Sequence, residues 1–224
     1  MKFKTEPHLH VSEISPCAKI GAEETIRLYS EAGYKTVFVS DHLKKEFYDK
    51  LGDIPWGEKT DKFLYGYFLA LEAGKKYGVN VLLSAEFQLN DSQNHFLLYG
   101  ISKSFLDKLE DVFDMSVPEF YKFAKENGVT VVQAHPYRDG KTTPVGPEYV
   151  DAVEAVNSNP RHENYSEKTI AYAKEHGIPM TGGSDTHRQE DVALGGVISE
   201  YEIKTASDYI NLILDNKAEI IRGA

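Results

Sequence analysis

The sequence predicts an α/β protein, with helices alternating with short buried strands around a mainly parallel sheet. Amphipathic stretches recur and end at glycine, and each hands over to a short apolar, β-branched run. No Pro/Gly/Ser-rich linker, fixed-period repeat or low-complexity tract interrupts this rhythm. The 224 residues, 41% apolar and 27% charged, have an ordinary globular composition, and as one domain they can bury a sizeable core.

The elements follow in order. The first extended segment runs into EPHLHVSE (6–13). GAEETIRLYSEAGY (21–34) has helical apolar spacing and closes at Gly33, and KTVFVSDH (35–42) follows as a buried strand. Residues 43–61 are expected as loop. KFLYGYFLALEAGKKYG (62–78) is an amphipathic helix stopping at Gly78, followed by the strands VNVLLSAE (79–86) and HFLLYGI (95–101). The second half repeats the pattern with helix 117–128, strand 129–136, strand 150–157, helix 164–177 and a strand opening 178–187. TASDYINLILDNKAE (205–219) is a closing helix capped by Thr205 or Ser207, leading into IIRG.

Charge and composition exclude several classes of function. A net charge of −10 argues against the backbone of long nucleic acid as a partner, though not against a small anionic substrate beside metal ions. Cys17 is the only cysteine, so no intramolecular disulfide can form. No apolar run approaches the roughly 20 residues that span a bilayer, and MKFKTEPHLH lacks the apolar core of a signal peptide. A cytoplasmic protein without a membrane partner is expected.

Chemistry concentrates at strand ends. His8 and His10 stand one residue apart, so in an extended chain their imidazoles share a side. His42 ends VFVSDH, His135 ends VVQAH, His187 follows TGGSD, and Glu86 ends VLLSAE. In a parallel α/β barrel the carboxyl ends of the strands share one face, and that face builds the active site. His95 precedes its strand, so that strand is expected to run antiparallel, or His95 to lie in a loop crossing the same mouth. Imidazoles and carboxylates are ligands of Zn, Mn and Fe. This set, with Asp185, exceeds what one ion needs and suggests two or three metals bridged by Glu86. Asp41 should point away from His42 and support a ligand, and His176 suits the last turn of its helix.

The motifs HLH (8–10), SDH (40–42), AE (85–86), AHP (134–136) and SDTH (184–187), in this order, resemble those of the PHP family, named for polymerase and histidinol phosphatase. The resemblance runs from 8 to 187. It implies a distorted (β/α)7 barrel with two or three divalent ions (Zn, Mn or Fe) and hydrolysis of phosphate esters by metal-bound hydroxide, a phosphomonoester foremost. Carried over, His8, His10, His42, Glu86, His95, His135, Asp185 and His187 match the family's ligands. Many members carry an Asp or His a few residues beyond the first motif. Here Glu13 is the nearest candidate for that ligand, ahead of Cys17.

Asp185 or His187 is expected to protonate the leaving oxygen. Arg138, two residues beyond AHP, and Arg161, after VNSNP, are the candidates for gripping a small phosphorylated substrate. Three other readings stand beside this one. They are an amidohydrolase-type hydrolase, which normally bridges its metals with a Lys, a nucleotide or oligonucleotide phosphodiesterase of the same fold, and a non-catalytic metal-bearing module.

Overall fold

The computed structural model describes residues 2–222. The chain begins with β1 (Phe3–Leu9), α1 (Ala22–Glu31), β2 (Tyr34–Val39) and β3 (His42–Leu43). The helices α2 (Lys45–Asp49), α3 (Trp56–Phe63) and α4 (Tyr65–Tyr77) follow, then β4 (Asn80–Gln88) and β5 (His95–Tyr99). Next come α5 (Lys103–Leu106), α6 (Val117–Glu126), β6 (Thr130–Ala134), β7 (Ala152–Asn157), α7 (Ser166–His176) and β8 (Met180–Gly183). The strand β9 (Gly196–Ser199), helix α8 (Ala206–Leu214) and strand β10 (Glu219–Ile221) close the order.

Local signals set several boundaries. α4 stops where Gly78 turns left-handed at φ 70°, a conformation open to glycine at little cost. α6 starts with a capping box between Ser116 and Glu119, and α8 with one between Thr205 and Asp208, so Thr205 is the cap. Residues 43–61 are not a plain loop. They contain the end of β3, all of α2 and most of α3, and the helix expected from 62 covers the end of α3 and all of α4, which meet at Leu64. Packing orders this stretch. Tyr48 is fully buried and stacks on Trp56 at 4.3 Å, and the Trp56 indole donates to the Leu106 carbonyl. Trp56 is thus partly buried and packed against the core.

The strands form a ten-stranded sheet in the order β10-β9-β1-β2-β4-β5-β6-β7-β8, with β3 alongside β4. β1, β2 and β4 pair parallel, as do β6, β7 and β8. β5 runs antiparallel to both β4 and β6, the first of the two readings of His95's position before its strand. A parallel bridge between Leu9 and Thr186 ties the chain after β8 back to β1. The strands β1 to β8 thus make a nearly closed, distorted barrel, in agreement with the fold class expected from the sequence. α8 packs Tyr209, Leu212 and Ile213 against the barrel residues Phe38, Leu97, Tyr99 and Val132. Each such side chain contributes about 1.5–3 kcal/mol on burial. One end of the barrel is thereby filled with apolar side chains, while the strand ends carrying histidines converge at the other.

Candidate metal centre

β1 delivers His8 and, just past its end, His10, and both are fully buried. β3 delivers His42, directly opposite Glu86 of β4. His95 opens β5 in register with Gln88 of β4 and Ala134 of β6, which brings it beside His135. Asp185 and His187 follow β8. His135 and Asp185 both have positive φ, 31° and 52°. Such backbone is strained for residues with a Cβ, and it clusters at functional sites. Gly183 is needed here, because a Cβ there would meet the His8 Cβ at 2.7 Å and Glu154 Oε1 at 2.9 Å.

The nitrogens and oxygens converge. His8 Nε2 and His10 Nε2 are 3.1 Å apart, and both lie near Asp185 Oδ1, at 3.4 and 3.3 Å. His8 Nε2 is 3.7 Å from Glu86 Oε1, and His10 Nε2 is 3.5 Å from Glu86 Oε2. Ligands held at 2.0–2.2 Å around a tetrahedral ion are roughly 3.4 Å from one another, so this set fits a cation. Glu86 continues outward to His42 Nδ1 at 2.6 Å, and to His95 Nδ1 and His135 Nε2 at 2.8 Å each. Three overlapping groups result: His8, His10 and Asp185; His10, His42 and His187; and His42, Glu86 and His95. Glu86 Oε2, Asp185 Oδ1, His42 Nδ1 and His135 Nδ1 are buried without hydrogen-bond partners. Orphaned polar atoms of this kind are costly in a plain core and are explained by a bound ion.

The electrostatics suit cation capture. Burial pushes Glu86 up, but His95, His42 and His135 outweigh it and hold the carboxyl well below its usual range. Burial also raises Asp185, but His8 and Arg138 outweigh it and hold its carboxyl well below the usual range. Burial lowers His10, His42 and His187, and it brings His135 down to about 4. Near neutral pH these four imidazoles are uncharged, with lone pairs free to bind metal. His8 differs. Burial lowers it, but Glu154 and Asp185 reverse that and raise it well above the ordinary histidine value.

Glu154 was not anticipated. Its Oε1 sits 2.8 Å from His8 Nδ1, and its Oε2 accepts from the His135 backbone N–H at 3.0 Å and from Asn157 at 2.9 Å. It fixes the His8 tautomer so that Nε2 faces the cluster. The signal was present in the sequence, since AVEAV places a carboxylate inside an otherwise apolar strand. Glu154→Gln should weaken metal binding by about 10- to 100-fold while the fold is kept. Titration with a metal-indicator dye checks this, and an unchanged affinity would show that Glu154 does not orient His8.

Two expected site residues are placed elsewhere. Glu13 is exposed and turned toward α1, where both carboxylate oxygens accept from the Ala22 N–H at 3.1 Å. It satisfies a helix N-terminus, where a negative charge is favoured, and it joins none of the convergent groups. Cys17 Sγ instead lies 3.1 Å from His42 Nε2. Arg161 is not free for a phosphate. Its guanidinium is locked on Asp191 by bonds of 2.5 and 2.7 Å, and Asp191 also accepts from the His187 and Arg188 N–H groups. Arg161 thus supports the loop that carries His187.

Arg138 does reach the cluster. Its Nη2 is 2.5 Å from Asp185 Oδ2, and its Nε donates to Asn164 Oδ1 at 2.9 Å. Asp41 faces away from the metal groups, accepting from Val11 N–H and the Ser15 hydroxyl, and burial pushes it up to about 7. His162 pairs with Asp139 at the surface, and His176 packs on Tyr172 in the last turn of α7.

Comparison with known proteins agrees with this architecture. The PHP-associated family matches residues 164–217. No curated protein matches the chain in sequence. Among solved structures, a two-domain protein from Bacteroides vulgatus, containing a predicted PHP-like metal-dependent phosphoesterase, superposes with TM-score 0.72 at 16% identity. That superposition covers 100% of this chain and 65% of the other, so this chain spans just under two thirds of that protein. PsfC from Pseudomonas syringae superposes with TM-score 0.69 at 16% identity, over 100% of this chain and 92% of the other. The lesion-specific endonuclease PfuEndoQ from Pyrococcus furiosus superposes with TM-score 0.63 at 14% identity, over 98% of this chain and 58% of the other. The fold is that of these PHP-like structures, in agreement with the barrel that the resemblance implied. Among the described residues no helix is long and apolar enough to cross a membrane.

Proposed function

We propose that the chain is a metal-dependent phosphoester hydrolase acting on a small phosphorylated molecule, a monoester foremost, with two or three divalent ions (Zn, Mn or Fe) as cofactors. The observation that carries this reading is the set of ligand atoms 3.1–3.7 Å apart at the strand ends, with the Arg138 guanidinium beside it. Divalent ions bound there would supply a nucleophilic water oxygen near neutral pH and neutralise phosphoryl charge. His8, His10, Glu86 and Asp185 would hold one ion, His42 and His187 the next, and Glu86 with His95 and His135 a third. Glu86 would be the shared carboxylate.

Arg138 presents a planar fork suited to phosphate oxygens. Its present partner Asp185 would turn its charge to the cation, freeing Arg138 for substrate. Asp185 is held ionised and so is a poor proton donor. Of the two groups considered for protonating the leaving oxygen, that leaves His187, whose side chain keeps 12% exposure at the rim. The net charge of −10 supports a small substrate over long nucleic acid, and a cytoplasmic location fits the composition.

The test is turnover of p-nitrophenyl phosphate, its bis-ester and a panel of phosphorylated metabolites by protein loaded with Zn, Mn or Fe, with and without EDTA. EDTA-sensitive release from monoesters is expected. Cleavage of the bis-ester alone would make the chain a phosphodiesterase, and full metal occupancy without turnover would favour a non-catalytic module. Arg138→Ala should raise KM for the best substrate by about 10- to 100-fold, the loss of one charge-assisted hydrogen bond of about 1.5–3 kcal/mol. An unchanged KM would remove Arg138 from the phosphate site.

A further inference from the structure

We propose that the cavity beside His42 is the subsite for the leaving group, and that it takes an apolar or aromatic body carrying a second negative charge, held by Lys44. This subsite presupposes the phosphoester reading of the metal centre and names its substrate class. Strand alternation in DHLKK (41–45) sets its wall. His42 and Leu43 form β3, and Lys44 continues extended at φ −125° and ψ 148°. Leu43 is turned into the core, where it is fully buried, so His42 and Lys44 share the opposite side. A candidate metal ligand and a half-buried cation thus stand two residues apart on one wall.

The cavity is built around that pair. Its volume of about 300 Å³ is enough for a small ligand. α2 follows at once, and helical spacing puts Phe47 three residues after Lys44, and Lys50 three further, on the same wall. Phe47 and Ile14 supply the apolar lining. Phe47 packs edge-on against Tyr48 and Phe63, with ring centroids 5.4 and 5.7 Å away, and Ile14 is 6% exposed. Ser15 fixes the facing segment by accepting from the His42 N–H at 3.1 Å and donating to Asp41 at 2.7 Å. The walls are thus preformed, and a ligand is spared the cost of ordering them.

Charge selects what enters. Lys75, Lys76 and Lys103 are paired with carboxylates, whereas among the described residues neither Lys44 nor Lys50 has such a partner. Glu46 also lines the cavity, so two lysines against one glutamate leave it with a single net positive charge. The Lys44 charge is near enough to His42 to add to the lowering that burial causes there. Beyond Ile14 and Phe47 a larger cavity of about 570 Å³ is lined by Glu13, Glu58 and Asp61, with Lys62 as its one cation. That excess of carboxylates repels an anion, so the second negative group stays beside Lys44.

The test reads binding as well as turnover. Protein loaded with Mn is titrated by calorimetry with benzylphosphonate, its para-carboxy derivative and its para-phosphonomethyl derivative. The two probes with a second anion should bind about tenfold tighter than benzylphosphonate, the weaker end of the range for a charged hydrogen bond. The tighter of the two tells whether that anion is a carboxylate or a phosphoryl group. Lys44→Met should bring the ratio close to one, and Lys44→Arg should keep the preference. No preference in the wild type, or one that survives in Lys44→Met, would overturn the subsite. A Lys44-dependent preference without hydrolysis of the matching phosphate esters would support the subsite and overturn the hydrolase reading alone. No binding of any of the probes by the metal-loaded protein would overturn both.

Discussion

Glu86→Gln is expected to cost the protein at least one metal equivalent and nearly all turnover. Glu86 Oε1 lies within 2.8 Å of both His95 and His135, and Oε2 lies 2.6 Å from His42 and 3.5 Å from His10. The carboxylate is buried at 1% exposure, so water cannot substitute for the lost charge. Glutamine keeps the shape, supplies one neutral oxygen, and turns an N–H₂ donor toward nitrogens that would otherwise bind metal. Removing one partner of a buried ionic group costs about 3–5 kcal/mol, which is roughly 100- to 5,000-fold in affinity. The metal content of purified protein, by emission spectroscopy, checks this. Wild-type stoichiometry in the variant would mean that Glu86 is not the shared carboxylate.

Much of this centre was legible because it rests on strand periodicity. His8 and His10 share a side because a strand repeats every two residues, and His42, Glu86 and His135 lie where apolar runs stop. The reversed direction of β5 was legible as one of two readings of His95, the other being a loop crossing the same mouth. What the sequence hid depends on bonds between distant residues. Glu13 was favoured by its spacing from His10, but its carboxylate accepts from the Ala22 N–H at the start of α1, a bond that spacing does not show. Arg161 looked free because its partner Asp191 lies 30 positions on. The helices between 43 and 61 are short and are ordered by Tyr48, Trp56 and Phe113, so they carry little periodic signal. Glu154 was the one readable feature passed over.

Metal removal should lower the melting temperature without unfolding the protein. The aromatic clusters around Tyr48, Phe87 and Phe113, and around Phe38, Tyr99 and Tyr209, are built from residues outside the ligand set, so the apo barrel keeps its core. What it loses is ligand linkage. An ion present at 1,000 times its Kd adds about 4 kcal/mol, and for a domain of this size each kcal/mol moves Tm by about 2–4 °C. A drop of about 8–16 °C per ion follows from those two values. The sign with pH is set by the same groups. Glu86 and Asp185 sit below the usual carboxylate range, and His10, His42, His135 and His187 sit below the usual imidazole range, His135 at about 4. At these six groups protons therefore compete poorly with metal near neutrality, whereas His8, raised well above the ordinary histidine value by Glu154 and Asp185, gives up a proton on binding. The metal-dependent increment should be large near neutrality, grow as the pH rises and His8 loses its proton, and vanish as the pH falls through the acid range toward the His135 value. Thermal melts of chelated and reloaded protein at neutral and acid pH measure both effects. Equal midpoints near neutral pH after reloading with excess metal, with no metal retained by the protein, would mean that the buried imidazoles and carboxylates are balanced among themselves and that the cluster is a polar core, not a metal centre.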